Sequence, residues 1–240
     1  MKNNIEKYID DWFINLRPDI LPASFFIIRK TLLFAISELK PKLKGKVVDL
    51  GCGVMPYKNF LKDNSIEISE YIGIDLEPTE YHHAVKPDVF WNGIEIPLES
   101  ASVDFLFATE FLEHYYDTNH ILKEIRRVLK PGGTFFFTVP NIWPLHEVPY
   151  DYHRFTPYAL EKHFQESGFS SSEIKPLGGF HCHLALSVAL WNDFKLSKKK
   201  QKLLKPFIKF IIKILMNKDK KDIDFNNNQL YSGLYGFVTN

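Results

Sequence analysis

Val47-Val48-Asp49-Leu50-Gly51-Cys52-Gly53 reads as a short buried strand that runs straight into a tight turn. Glycines two apart free the backbone for that turn and let a ligand approach it closely, where a β-carbon would stand in the way. Asp49 lies inside the strand's end, where an acid is costly unless it has a partner. A second strand, Tyr71–Asp75, ends on an acid 22 residues after Gly53, the usual offset for a carboxylate that binds ribose hydroxyls. The third glycine of a dinucleotide fingerprint is missing, and Met55-Pro56 stands in its region. That disfavours a pyrophosphate, which needs an open helix N-terminus. A ligand without one fits better.

Outward from this turn, apolar runs alternate with helical patterns, the signature of a parallel α/β sheet. Residues 23–40 read as a helix that stops at Pro41. Lys46–Leu50, Tyr71–Asp75, Val103–Thr109 and Thr134–Val139 read as strands, the last almost wholly apolar, as burial on both faces requires. Thr118–Leu129 is an amphipathic helix capped by Asp117 and ended by Pro131-Gly132-Gly133. Thr156 caps a further helix with Pro157 at its first position and Gly168 at its close. Glu173–Leu177 and Leu234–Thr239 read as final strands, and residues 184–216 between them as helical and basic.

Val-Asp-Leu-Gly-Cys-Gly resembles the first motif of class I S-adenosylmethionine-dependent methyltransferases. Downstream, Val103-Asp104-Phe105, Phe111-Leu112-Glu113-His114 and Glu124-Ile125-Arg126-Arg127-Val128-Leu129-Lys130-Pro131-Gly132-Gly133 resemble that family's fourth strand, following helix and fifth-strand entry, in order and at normal spacing. The resemblance covers roughly residues 45–180. It implies a Rossmann-like three-layer α/β sandwich around a seven-stranded, mostly parallel sheet whose last strand, Leu234–Thr239, is antiparallel. It implies S-adenosylmethionine as cofactor, with S-adenosylhomocysteine as product. Asp49, Gly51, Cys52, Gly53, Asp75, Leu76 and Glu110 are then the cofactor-binding candidates, Asp75 at the ribose. Asp88 and Asn92 are both candidates for the adenine amino group, and either also reads as a plain turn residue.

The acceptor site is expected beyond the carboxyl ends of strands four and five. Glu110, Glu113 and His114 form one cluster there, for which cofactor-pocket shaping is the plainer reading. The other is the loop Pro140–Thr156, crowded with histidine, acid, tyrosine and arginine. It resembles a His…Pro-x-Asp-Tyr-x-Arg-Phe-Thr signature of methyltransferases encoded among bacterial cell-surface polysaccharide genes. His146 is the candidate base, since an imidazole titrates near neutrality. Asp151 is placed to orient it or to take the proton itself, and Arg154 to pair with Asp151 or bind an anionic acceptor. The plainer reading is that Asp151, Tyr152 and Arg154 brace the loop, with Arg154 bonded to backbone carbonyls. No metal site is expected: His82-His83 and His181-x-His183 are close pairs without an evident carboxylate set.

The chain has 240 residues, 45% hydrophobic and 25% charged, enough to bury a core without disulfides. Cys52 and Cys182 are too few for a disulfide framework and fit a reducing compartment. The opening residues are polar and charged, so no secretory leader is expected, and no apolar run is long enough for a membrane-spanning helix. A cytoplasmic protein is therefore expected. The domain reading is a helical lead-in over 1–44 and a methyltransferase domain over 45–240, with a basic helical insertion at about 184–221. Lys195 to Lys221 holds eleven lysines against Asp219, a charge of +10 within a total of +1, which leaves −9 on the rest. Lys205, Lys209 and Lys213 recur every four residues among Leu, Phe and Ile. A sheet-covering helix with a solvated lysine edge is the plainer account; the sharper one is peripheral contact with an anionic membrane through Lys198–Lys221. Nucleic acid is not an expected partner, because an aromatic-interleaved basic surface is not evident.

The functional expectation is methyl transfer to an oxygen of a sugar or cell-surface glycan precursor. The alternatives are a small aromatic or lipid acceptor, with an apolar pocket around Trp143 and Phe155; a nicotinamide-dependent oxidoreductase, disfavoured by the missing glycine; and a non-catalytic cofactor-binding protein.

Overall fold

The computed structural model describes residues 4–63, 67–76, 85–219, 223–226 and 229–240. His82-His83 and Lys220-Lys221 lie outside them. The described elements run α1 (Asn4–Ile9), α2 (Ala23–Leu39), β1 (Gly45–Leu50), α3 (Lys58–Lys62), β2 (Ile68–Leu76), β3 (Val89–Trp91), β4 (Val103–Thr109), α4 (Thr118–Val128), β5 (Leu129–Pro140), α5 (Pro157–Glu166), β6 (Ser171–Leu177), α6 (Phe180–Lys195), α7 (Lys198–Lys218) and β7 (Gly233–Thr239).

The seven strands form one sheet in the order β3-β2-β1-β4-β5-β7-β6. Strands β1 to β5 pair in parallel, with Asp49 beside Gly73 on one side and Phe107 on the other. β7 is antiparallel to its neighbours. Its end meets the start of β5 through Gly132 N to Asn240 O and Asn240 N to Gly133 O, and the start of β6 through Ser170 N to Thr239 O. This is the Rossmann-like α/β fold with an antiparallel last strand that the motif order implies.

The chain divides into two compact units. Residues 36–174 and 235–240 hold the parallel strands. Their core is aromatic: Phe105, Phe107, Phe135, Phe136, Phe137 and Phe164 are all at most 2% exposed. The amphipathic face of α4 buries Ile121, Leu122, Ile125 and Val128, and Asp117 caps it by accepting from His120 N at 3.0 Å. Thr156 Oγ1 caps α5 from Ala159 N at 3.2 Å, as its sequence signature requires. Glu124 and Arg127 on α4 pin the segment after β3. Arg127 donates to the carbonyls of Ile96 and Leu98, and Glu124 accepts from Ile96 N.

Residues 1–35 and 175–234 form the other unit. There the Arg29 guanidinium lies 4.0 Å over the Phe13 ring, and Ser24 binds Asp193 through both its N–H and its hydroxyl. Asp219 caps α6 by accepting from the N–H groups of Gly179, His181 and Cys182, a carboxylate at the positive end of a helix.

Three boundaries differ from the sequence expectation. β5 begins at Leu129, because Leu129 already has extended geometry (ψ 136°), so the Pro-Gly-Gly segment lies inside the strand rather than before it. Residues 184–216 are two helices, since Ser197 is extended and breaks them. The short elements α3 and β3 carry too little periodicity to be read from sequence.

Gly236 tests the packing of β7. A β-carbon there would lie 2.3 Å from the Glu173 carbonyl oxygen and 3.0 Å from the Phe137 ring. Backbone on one side and a core ring on the other cannot yield cheaply. Gly236→Ala is expected to lower stability by about 1–3 kcal/mol in urea unfolding.

Candidate active site

β1 ends at Leu50, and the chain turns through two glycines in the left-handed region, Gly51 (φ 70°) and Gly53 (φ 49°). The turn is tied to the neighbouring strand. Gly51 N and Cys52 N both donate to Ile74 O, at 2.9 and 3.1 Å. Asp75 Oδ2 accepts from Gly53 N at 2.6 Å, and its Oδ1 from Leu76 N at 2.8 Å. The glycines serve different ends. A β-carbon on Gly51 would lie 2.5 Å from the Phe111 ring, whereas one on Gly53 meets no described atom within 4 Å. Gly51 thus makes room for a side chain of the protein itself, and Gly53 is the residue open to close approach.

Asp49 has the partner its position demands: its Oδ2 accepts from the Tyr71 hydroxyl at 2.7 Å. Burial pushes its carboxyl up to about 7, against the pull of that hydrogen bond. Cys52 is 3% exposed beside Gly73, and burial pushes its thiol up. Leu76, at the end of β2, is 43% exposed. Asp88 and Asn92 fall on opposite ends of β3. Asp88 precedes the strand and accepts from Gly73 N at 2.8 Å and Lys58 Nζ at 3.1 Å. Asn92 follows it, and its Oδ1 holds a local turn by accepting from Ile94 N. Glu110 (φ 51°) follows β4 and is locked to β5: its N–H donates to Thr138, and the Thr138 hydroxyl donates to Glu110 Oε1 at 2.9 Å.

Phe111, Trp91 and Tyr115 were not singled out as site residues, yet their rings cluster beside this turn, with centroids 6.3–6.5 Å apart. The Tyr115 hydroxyl donates to Gly93 O. Nothing in the spacing of three aromatic residues on different elements marks them in advance.

The loop after β5 is organised by Asp151, whose side chain is 2% exposed. Arg154 grips it with both terminal nitrogens, at 2.6 and 2.9 Å. His146 adds its backbone N–H and its Nδ1 to Oδ2, both at 3.2 Å. Hydrogen bonding from Arg154 draws the Asp151 pKa down to about 2. Arg154 also donates to the carbonyls of His153 and Trp143. Orienting His146 and bracing the loop are thus two effects of one network. Asp151 is thus held as a carboxylate at neutral pH against His146 Nδ1.

The loop is anchored to the turn after β4, where Tyr152 N and His153 N donate to Glu113 O. Asn141, Trp143, Tyr152 and Arg154 are among the residues lining a recess of about 370 Å³. Phe155 does not line it; it is 5% exposed and packs edge-on to His163.

Sequence spacing offered no metal site, but folding brings Glu113, His114 and His146 together, with one ligating atom from each within 4.8 Å of the others. The Glu113 side chain is fully buried, and burial beside Glu110 pushes its carboxyl well above the usual range. Burial lowers the His114 pKa. The His181/His183 pair is engaged elsewhere, with Asp219 and with the carbonyl of Tyr231.

Residues 48–137 match the family model of a methyltransferase domain. Over 130 residues it is 33% identical to a protein of Mycolicibacterium smegmatis described as a "Probable S-adenosylmethionine-dependent methyltransferase", covering 52% of this chain and 49% of that one. Over 132 residues it is 30% identical to the 27-O-demethylrifamycin SV methyltransferase of Amycolatopsis mediterranei, covering 46% and 48%. The chain thus spans about half the length of these curated relatives. Its fold is similar to that of Haemonchus contortus phosphoethanolamine N-methyltransferase 2, solved with S-adenosyl-L-methionine, at a TM-score of 0.54 and 16% identity over 99% of this chain and 60% of that one.

A depressed carboxyl pKa means that the ion pair's stabilisation is present above the ordinary value of 3.8 and is lost as pH falls towards about 2. In a carbon-13 NMR titration the Asp151 carboxyl is expected to titrate near 2, and in Arg154→Gln to move up towards its ordinary value. A parent titration near 4 would show that the bidentate pair does not form.

Proposed function

We propose that the chain catalyses methyl transfer from S-adenosylmethionine to a hydroxyl oxygen of a sugar or cell-surface glycan precursor. The observation that carries the cofactor half is the join of β1 and β2. Gly53 is open to close approach, and Asp75, the carboxylate that holds its N–H, stands at the carboxyl end of β2, a position suited to ribose hydroxyls. Asp49 lies in β1 just before the turn and Cys52 within it; Leu76 ends β2, Asn92 follows β3 and Glu110 follows β4. Asn92 is better placed than Asp88 for the adenine amino group, because Asp88 is drawn back to Gly73 and Lys58.

The cofactor supplies an electrophilic methyl group on a cationic sulfur, so the protein needs no nucleophile of its own. Its tasks are to align the acceptor and remove the hydroxyl proton. The recess after β5 suits a hydroxyl-rich acceptor, with amide, guanidinium and carboxylate groups beside one indole face. The burial of Phe155 weighs against the apolar pocket that an aromatic or lipid acceptor would use. His146, with Nδ1 bound to Asp151, presents Nε2 as proton acceptor, and Arg154 keeps Asp151 charged.

Calorimetric titration with S-adenosylhomocysteine is expected to give micromolar binding. In Asp75→Ala it is expected to weaken roughly ten- to a hundredfold, the scale of one or two lost hydrogen bonds to a charged group. Binding of a nicotinamide dinucleotide instead would move the chain to the oxidoreductases. With an acceptor in hand, His146→Ala is expected to lower kcat by roughly a hundredfold or more.

A second surface bears on where the acceptor is met. α7 buries Ile208 and Ile212, yet Leu203, Phe207, Phe210 and Ile214, at helical spacing on another face, are 41–77% exposed, and Lys202, Lys205, Lys209 and Lys213 run along their flank. Among the described residues no helix is long and apolar enough to cross a membrane. We place the protein at the cytoplasmic face of an anionic membrane, resting on α7, where a lipid-linked glycan is within reach. It is expected to float with vesicles containing anionic lipid, to be released by salt, and to stay behind with neutral vesicles. Phe207→Ser with Phe210→Ser should abolish flotation; unchanged flotation would sink this placement.

A further inference from the structure

Glu113 is out of keeping with the site around it. Its side chain is fully buried, and among the described residues neither carboxylate oxygen accepts a hydrogen bond. Buried polar groups are almost always partnered, and a carboxylate more than most. His114 Nε2 lies 3.8 Å from Oε1, too far for a hydrogen bond. The His146 ring stands edge-on to His114 with centroids 4.7 Å apart.

Both imidazoles are turned the same way by their outer partners. His114 Nδ1 lies 3.0 Å from the carbonyl oxygen of Tyr150, which can only accept, so Nδ1 carries the proton and Nε2 the lone pair. His146 Nδ1 lies 3.2 Å from Asp151 Oδ2, an anion held by Arg154, with the same result. A carbonyl behind one histidine and a carboxylate behind the other is the arrangement that orients and strengthens imidazole ligands of metals.

We infer that Glu113, His114 and His146 form a binding site for a divalent transition-metal ion of the zinc class, held by two imidazole Nε2 atoms and one carboxylate. The donor set is the one zinc uses where a coordination position is left open. Metal–ligand bonds of about 2.0–2.2 Å put tetrahedral ligands roughly 3.4 Å apart. The Glu113–His114 pair, at 3.8 Å, closes with a shift of a few tenths of an ångström, and the separations to His146, within 4.8 Å, close with a side-chain movement of about an ångström. The ion also brings positive charge directly against a carboxyl that burial and Glu110 otherwise keep from ionising. Glu147 Oε2, 3.9 Å from His114 Nε2 and half exposed, stands at the open side. Metal binding stands on this geometry alone and does not depend on the methyl-transfer reading. If both hold, His146 gives its lone pair to the ion, and an acceptor hydroxyl in the open position loses its proton to water through metal coordination.

The test uses the full chain without a polyhistidine tag, stripped with a chelator and titrated with Co2+ in the visible range and with Zn2+ by calorimetry. One equivalent of each is expected, with the intense visible bands of a low-coordinate Co2+ centre. Glu113→Gln, His114→Ala and His146→Ala should each weaken Zn2+ binding at least tenfold. Asp151→Asn should weaken it ten- to a hundredfold through His146. His181→Ala, bound to Asp219 and outside the cluster, should leave it unchanged. Glu113→Gln keeps the side chain's shape, and both histidines are partly exposed, so circular dichroism of the variants should match the parent. Substoichiometric binding, a spectrum like aqueous Co2+, or cluster variants that bind like the parent would overturn the inference. S-adenosylhomocysteine titration of the same samples reports the cofactor reading separately, because Asp75 and Gly53 are not ligands.

Discussion

A strand buried on both faces has no room for a polar side chain along its length, and three adjacent strands here are of that kind. Val47, Val48, Leu50, Leu106, Phe107, Phe135, Phe136 and Phe137 are all at 0% exposure. Two polar side chains, Asp49 and Thr138, are tolerated near the carboxyl ends of these strands, each with a dedicated partner in Tyr71 and Glu110. Chemistry is displaced to the carboxyl ends, where backbone groups run out of strand partners. The parallel pairing of β2, β1, β4 and β5 puts four such ends side by side. The glycine turn, Asp75, the Glu110–His114 segment and the loop after β5 are neighbours for that reason.

The loop after β5 bears charges that would be expensive in isolation. A carboxylate as enclosed as Asp151 is tolerable only with its partners in place, and removing one of them costs more than the pair ever contributed. Its bidentate arginine, two bonds from His146 and the tie of Tyr152 and His153 to the Glu113 carbonyl make the loop a braced structure. The bracing gives His146 a single ring orientation, which a mobile loop would not.

Much of this was legible in advance, for identifiable reasons. The glycine turn, Asp49, Asp75, the caps at Asp117 and Thr156 and the parallel order all follow from local chemistry: a positive φ, a lone acid in an apolar run, a side-chain oxygen before a helix. The pairing of Asp151 with Arg154 and His146 was legible because all three lie within nine residues of one another. Pairings across elements were not. Phe111 filling the space that Gly51 leaves, Tyr71 meeting Asp49, and Glu113 approaching His146 each join segments at least 22 residues apart, and no spacing rule encodes them. Asp88 shows the same limit from the other side. Its place in the chain gave no sign that its carboxylate meets Gly73 N and Lys58 Nζ, on segments 15 and 30 residues away.

Residues 110–114 join what would otherwise be two separate sites. Glu110 is tied to β5 through Thr138, and Phe111 rests in the space that Gly51 leaves in the glycine turn. Two residues later, the backbone of Glu113 carries the loop after β5, and its side chain faces the histidine pair. A displacement of this segment therefore moves the glycine turn and the loop after β5 together. The proposed methyl transfer would use that coupling, since in-line displacement needs donor and acceptor at a fixed separation and angle. The left-handed backbone at Glu110, uncommon for a residue with a side chain, turns the chain out of β4 and into that position.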